Sequence, residues 1–269
     1  MYQFYIFTIM ASKEKYATKT FSGKGMWGSD LIVFDSLEST NKWVMSEALN
    51  LSHGDIVIAE NQTAGRGRLN RTWFSQKGKS LCFSVFMEKH KIEPVYFLAT
   101  QITALSIAGF LEQMGLSPKL KWPNDVMINN KKICGILAQT NSTCSFIVIG
   151  AGLNINLTEN DIADYGLNEI STSLFIETGK KHDIMEVFKN IKTEMETTFS
   201  SGSLNSEINI NQSWQKYDYF SEEQIVLKTA GKDIKGTYQG LDAKGRIVLL
   251  LPGGELKSFY AGDIRKVKS

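Results

Sequence analysis

Lys119 to Asn156 reads KLKWPNDVMINNKKICGILAQTNSTCSFIVIGAGLNIN. Three β-type runs, KLKWPNDVMI, KKICGILAQT and CSFIVIGAGLNINL, follow one another with little between them. The Asn129-Asn130 pair suits a two-residue hairpin turn, because such turns need positive φ at both central residues and asparagine tolerates it. The stretch therefore predicts three strands, the first two joined as a hairpin. Three features interrupt it. Pro123 removes a ladder donor beside Trp122, which is tolerated at a sheet edge, at a site or in a strand-end turn around a core tryptophan. Lys131-Lys132 enters an apolar strand, either at the surface or aimed into a pocket. Gly135, and the small residues of Gly150-Ala151-Gly152, suggest a bulge or a flat wall approached closely by a ring or another backbone.

Upstream, LIVFDSL from Leu31 is a short β run, and Ser39-Thr40-Asn41 offers N-cap chemistry for a helix through KWVMSEALN. DIVIAE (55–60) has the pattern of a buried strand. The polar segment NQTAGRGRLNRTWFSQKGKS (61–80) has no periodicity, and a loop that long inside a domain is usually functional or disordered. Within it, Gly65-Arg66-Gly67-Arg68 and Arg71 pair permissive backbone with permanently charged planar forks. That suits an anion-binding loop, and it also suits a solvated basic loop. The spacing is not that of a P-loop, and Gly150–Asn156 lacks the third glycine and the helix of a dinucleotide fingerprint. LCFSVFM is a strand. A long helix is expected from Pro94, near N1, to Gly115 at C′. Helices are also expected over residues 183–199 and 204–216.

Past Glu222 the pattern changes to short strands (EQIVLKT, KDIKGTYQGL, RIVLLL, ELKSFY, DIRKVK) separated by turns, which reads as a separate small β-barrel. The expected organisation is a leader over 1–29 outside the fold, a larger domain over 30–220 and a barrel over 221–269. The apolar start, MYQFYIFTIM, is too short to span a bilayer and has no basic residues before it. Net charge is +2 with no basic stripe, which argues against a general nucleic-acid binder. Cys82, Cys134 and Cys144 have no zinc-ligand spacing and read as small hydrophobes in a reducing compartment, so a cytoplasmic protein is expected.

The GRGR…W, KWPND, K-[IL]-x-GIL and GAGxNxN segments, in this order from Leu31 to Phe199 and with the terminal barrel, resemble the biotin–protein ligase family. The resemblance implies an α+β fold: a mixed β-sheet flanked by helices, as in class II synthetase-like biotin and lipoate ligases, with a small C-terminal SH3-like β-barrel. It implies ATP-dependent activation of biotin to biotinyl-5′-adenylate, with magnesium carried mainly by the ATP phosphates. Transfer to a lysine of a biotin carboxyl carrier protein domain of a carboxylase follows. By family position, Ser39, Thr40, Asn41, Gln62, Gly65 and Gly135 hold biotin. Arg66, Arg68 and Lys132 meet its carboxylate and the phosphate. Arg68, Arg71, Trp73, Asn124, Lys132 and Asn154 hold ATP or the adenylate. Lys132, Arg66, Arg68 and Asp125 are the expected catalytic group, with Asp125 orienting or deprotonating the acceptor amine, or bracing the KWPND turn. A flexible loop around Arg66, with Trp73 as a lid, is expected to fold over the adenylate.

Two departures stand out. Some family members carry GRGRRGR where this chain has Leu69 and Asn70. Others add an N-terminal helix-turn-helix domain that the residues before Leu31 are too few to form, so a catalytic-only enzyme that binds neither DNA nor a membrane is expected. A homodimer built by side-by-side sheets is a family habit. A lipoate–protein ligase is the nearest alternative and a non-enzymatic nucleic-acid-binding protein the more distant one; GRGR, KWPND and the barrel favour biotin.

Overall fold

The computed structural model describes residues 19–266 other than 94, 201–209, 221–222 and 230. Its strands are β1 (Lys19–Phe21), β2 (Leu31–Phe34), β3 (Ile56–Ala59), β4 (Ser80–Glu88), β5 (Lys119–Lys121), β6 (Asp125–Ile128), β7 (Lys131–Thr140), β8 (Phe146–Asn154), β9 (Gln224–Lys228), β10 (Asp233–Leu241), β11 (Ile247–Leu250), β12 (Leu256–Phe259) and β13 (Asp263–Lys266). The helices are α1 (Thr40–Ser46), α2 (Lys89–Ile92), α3 (Ala99–Gln113), α4 (Glu159–Asp164), α5 (Leu174–Thr178), α6 (Ile184–Ser200) and α7 (Ile210–Tyr217). β1 to β8 form one sheet in the order β1-β2-β3-β4-β8-β7-β6-β5. Its β2–β3 pair is parallel and its other pairs antiparallel, so the sheet is mixed. β9 to β13 form a second, antiparallel sheet in the order β12-β11-β10-β9-β13.

Alternation along the central strands divides the core. In β8, Ile147, Ile149, Ala151 and Leu153 join α3 and α6 in the larger apolar cluster. Their neighbours Val148, Gly150, Gly152 and Asn154 therefore face the other side, as the period of two requires. There Ile32, Phe34, Val44, Val57, Phe86 and Val148 form a smaller cluster under α1. Beyond this cluster the second face carries glycines in place of bulky side chains, and it is open there.

Several local expectations hold. Ser39 caps α1, its side chain accepting from the Lys42 N–H. Asn129 and Asn130 turn the β6–β7 hairpin at φ 49° and 63°. Gly115, at φ 81°, follows the α3 C-cap. Pro94 and the 204–209 part of the expected helix lie outside the described residues, and α7 begins at Ile210.

Other expectations need correction. Residues 19–29, grouped with the leader, belong to the fold: β1 pairs with β2, and Met26 is fully buried. Those residues close one edge of the sheet, a role their mixed polar composition does not announce. KLKWPNDVMI is two strands, β5 and β6, folded on each other through Trp122-Pro123-Asn124 with Lys121 opposite Asp125. Trp122 is buried and donates from Nε1 to the Gly245 carbonyl at 3.0 Å, so it anchors the C-terminal sheet. The stretch Val95–Gln113 is apolar enough to cross a membrane by composition, but 67% of it is buried inside the fold, which makes it a core helix.

Candidate functional site

A cavity of about 660 Å³ opens on the glycine-bearing face of the sheet. It is lined by Ser39, Thr40, Asn41, Gln62, Arg66, Arg68, Arg71, Trp73, Asn124, Asp125, Lys132, Gly135 and Asn154. The fold thus gathers these residues from α1, the 61–79 segment and β6 to β8. Gly65 lies just behind the wall, buried, where a Cβ would strike the Trp73 carbonyl.

Lys132 reaches the cavity because of a β-bulge. β6 and β7 pair Asp125 with Gly135 and Val126 with Cys134, and then the register shifts so that Met127 faces Lys132. Ile133 is the extra residue. Strict alternation from Gly135 would send Lys132 into the helix-packed core. The bulge sends Ile133 and Cys134 there together, both fully buried, and returns Lys132 to the open face. Its backbone is held from the other side by Ile170 and Thr172, through Lys132 N–H to the Ile170 carbonyl at 2.8 Å and Thr172 N–H to the Lys132 carbonyl at 3.0 Å. Its ammonium makes an ion pair with Asp125 at 2.6 Å. It also lies 5.6 Å from the centroid of the Trp73 ring. A Cβ on Gly135 would sit 2.8 Å from Lys132 Nζ, so this glycine makes room for the ammonium.

The arginine segment is a short hairpin. Trp73 N–H donates to the Gly65 carbonyl at 2.9 Å and Gly67 N–H to the Arg71 carbonyl at 2.7 Å, with Arg66 opposite Thr72. Leu69 and Asn70 form its tip, both at positive φ (54° and 58°). Asparagine tolerates this conformation and leucine seldom adopts it; Leu69 is exposed. Arg68 donates to the Asn124 side-chain oxygen and to the Gly262 carbonyl, both at 3.3 Å. It also lies 3.6 Å from Asp263, with which Arg71 makes a close ion pair. Burial draws the Arg68 guanidinium below its ordinary pKa, opposed by Asp263 and Asp125. Asn124 is fixed at both ends, since its Nδ2 donates to the Ile136 carbonyl at 2.8 Å.

Trp73 lies across the glycines of β7 and β8. Gly135 and Gly152 are register partners, and a Cβ on Gly152 would collide with the indole. Asn154 donates to the Thr172 carbonyl at 2.9 Å, which ties the cavity floor to the 170–172 segment. The opposite end is neutral and polar. Gln62 Oε1 accepts from the Thr40 N–H at 2.8 Å, and Asn41 Nδ2 donates to the Leu137 carbonyl at 3.0 Å and to Gln139 at 2.9 Å. Burial pushes the Cys82 thiol up to about 11, so it is protonated at neutral pH; contacts with Ser75, Trp73 and Gln62 oppose the shift.

The sequence reading missed the C-terminal contribution. Tyr219, Lys228, Asp263 and Arg265 also line the cavity, with Tyr165, Leu167 and Ile170 on another side. No spacing links these residues to the arginines they face; folding alone brings them together. Ser84, buried beneath Thr40 and Asn41, was missed because a serine within a β run looks like an ordinary strand residue.

The family model described as the Biotin/lipoate A/B protein ligase family matches residues 33–154, and that of the Biotin protein ligase C terminal domain matches residues 220–267. The chain is 32% identical over 243 residues to the Bifunctional ligase/repressor BirA of Bacillus subtilis, covering 88% of this chain and 74% of the relative. It is 28% identical over 251 residues to the Biotin--[acetyl-CoA-carboxylase] ligase of Mycobacterium tuberculosis, covering 90% and 91%. Among solved structures, a biotin protein ligase from Aquifex aeolicus in complex with biotin and ATP superposes with a TM-score of 0.75 at 27% identity, covering 88% of this chain and 99% of that one.

Proposed function

The chain belongs to the biotin–protein ligase family, and on that premise we propose which of its residues carry each step. The enzyme uses ATP to convert biotin to biotinyl-5′-adenylate and transfers the biotinyl group to a protein lysine. The observation that supports our assignment above all others is the bulge that turns Lys132 onto the open face beside Gly135, across from the arginine hairpin.

In the first half-reaction a carboxylate oxygen attacks the α-phosphorus, and the bond to the β-phosphate oxygen breaks as pyrophosphate leaves. Both reactants are anions, so cationic donors fixed in advance lower the barrier. Lys132 bridges the carboxylate and the α-phosphate, while Arg66 and Arg68 close on them from the hairpin. Arg71 holds the phosphates, Asn124 positions Arg68, and Trp73 with Asn154 takes the adenine. Magnesium on the triphosphate offsets further negative charge. Ser39, Thr40, Asn41 and Gln62 take the ureido ring, with Gly65 and Gly135 giving backbone access.

In the second half-reaction a lysine amine attacks the acyl carbon and AMP leaves. A free lysine of pKa roughly 10.4 is almost wholly protonated near neutrality. Once Lys132 has exchanged Asp125 for substrate, the Asp125 carboxylate is available to orient the incoming ammonium and accept its proton. The acceptor is a biotin carboxyl carrier protein domain, and its lysine enters between the hairpin and the 165–171 segment. The cytoplasm, where ATP and free cysteines both persist, is the proposed compartment. A side-by-side homodimer is supported by β7: Ile136 is still covered by Asn124, and residues 137–140 run past β6 and pair through β8 alone among the described strands.

Incubating the protein with ATP, magnesium, biotin and a carrier-domain fragment tests the reading by intact mass. We expect one biotin added to the carrier, and none with Lys132→Ala. A gain with lipoate and none with biotin would keep the adenylate route and replace the substrate.

A further inference from the structure

The neutral end of the cavity holds a hydrogen-bond chain whose proton count is fixed by backbone groups. Asn41 Nδ2 donates to the Leu137 carbonyl, an acceptor that cannot be mistaken for a donor, so Asn41 Oδ1 is an acceptor. The Thr40 N–H donates to Gln62 Oε1, which likewise fixes the Gln62 amide. Two hydroxyls lie between these amides. Ser84 Oγ is 2.6 Å from Asn41 Oδ1 and 2.7 Å from Thr40 Oγ1, and Thr40 Oγ1 is 3.2 Å from Gln62 Oε1.

Three oxygen–oxygen contacts thus share two protons. Asn41 Oδ1 has none to give, so Ser84 spends its proton there. The 2.7 Å contact then requires Thr40 to donate to Ser84. The contact left without a proton is the one between Thr40 and Gln62, which is also the longest of the three. Thr40 has no proton left for a ligand, and its hydroxyl presents lone pairs to the cavity that it lines. Gln62, whose Oε1 is taken by backbone, offers Nε2 as a donor.

We propose that Ser84, through this relay, is a positioning residue that fixes the Thr40 hydroxyl as an acceptor for a ring N–H of the substrate. The proposal rests on the biotin–ligase reading and deepens it. The chemical class selected is a cyclic urea or similar group that carries an N–H beside a carbonyl, because one acceptor and one donor are set side by side. A dithiolane has no N–H, and an acceptor buried against it would lose its hydrogen bond to water without gaining another. Sites built around a substrate N–H or O–H reject analogues lacking it far more strongly than sites that sort by size.

Equilibrium titration with biotin, and turnover at saturating biotin, test this on the full chain. Ser84→Ala removes the acceptor that holds the Thr40 proton, so the hydroxyl is no longer fixed in its acceptor orientation and biotin Kd rises about tenfold, the equivalent of one hydrogen bond. Its kcat at saturating biotin and its ATP affinity stay within about twofold of the parent. The decisive measurement is the double cycle with Thr40→Val, which removes the hydroxyl at nearly constant shape. In the Thr40→Val background, Ser84→Ala should have no further effect on biotin Kd. Additive losses, or an unchanged Kd in Ser84→Ala alone, would overturn the relay. If Ser84→Ala fails to fold, Thr40→Ser against Thr40→Val carries the test: Ser, which keeps the hydroxyl, binds biotin about tenfold more tightly than Val, and equal affinities would refute the assignment. Failure of the family reading looks different, since the parent protein itself would then neither bind biotin nor release pyrophosphate from ATP in its presence.

Discussion

The two ends of the cavity are built from opposite kinds of interaction. At one end Thr40, Asn41, Gln62 and Ser84 are neutral, mostly buried and joined to backbone groups of α1 and β7. At the other, Lys132 pairs with Asp125, and Arg68 and Arg71 pair with Asp263, all through side chains that keep some exposure to water. The neutral network is complete before a ligand arrives and has little freedom to change. The charged pairs neutralise each other provisionally, and an incoming anion replaces one carboxylate with another. Ion pairs that keep contact with water are worth little individually, so the exchange costs little. Selection is therefore expected from the neutral end and rate from the charged end.

The comparison is broken most severely by Lys132→Ala. Removing a preorganised cation facing developing charge lowers kcat for pyrophosphate release by on the order of 100- to 1,000-fold, and biotin Kd should change far less. Equal losses in kcat and binding would mean that the charged end also selects. Next come the glycines. A Cβ at Gly150 strikes Asn41 Oδ1 and one at Gly152 strikes the Trp73 indole. Overpacking of this kind costs about 1–3 kcal/mol. Gly150→Ala should weaken biotin and spare ATP, whereas Gly152→Ala should weaken ATP or adenylate binding; calorimetric titration of each ligand separates them.

Asp218 sharpens the contrast, because it is a half-buried carboxyl group that lies outside the cavity lining. It joins the two sheets: Tyr238 donates to it at 2.6 Å and Phe220 N–H at 3.1 Å. Burial pushes its carboxyl up to about 6, against those hydrogen bonds. From about pH 4 to pH 6 the folded chain retains a proton that the unfolded chain has lost, so this group makes folding less favourable as pH rises. Asp218→Asn should remove about 1–2 kcal/mol of that pH dependence, read as the difference between variant and parent in chemical denaturation at pH 4.5 and 7. A parallel profile for the two proteins would refute the assignment. The smallest effect is expected from Asp263→Asn. It frees Arg68 and Arg71 for phosphate, and the ATP KM should fall by roughly two- to fivefold, in line with pairs worth at most about 1 kcal/mol. A rise would mean that Asp263 serves by holding the hairpin in place.

Much of this molecule is legible in its sequence where the information is local. Ser39 marks a helix start and Asn129-Asn130 a hairpin, because capping and positive φ depend on one or two residues. The arginine, KWPND and glycine segments mark the cavity walls by residue type. The N-terminal edge strand is less legible: Lys19–Phe21 has few apolar residues and gains its order from pairing with β2. Asp263 lies on β13, remote in sequence from the arginines that it meets.

By itself, then, the sequence determined the element types, their order and the chemical groups at hand. The tertiary structure decided which face each group occupies. Lys132 shows the reason. Alternation counted from Gly135 points it into the core, and only the packing of Ile133 and Cys134 together against the helices inserts the bulge that turns it to the cavity. A one-residue shift reverses every side chain beyond it, and nothing within the strand states whether that shift occurs. The same holds for Ser84, whose hydroxyl acquires a direction only from the Leu137 carbonyl, reached through Asn41 across two neighbouring strands.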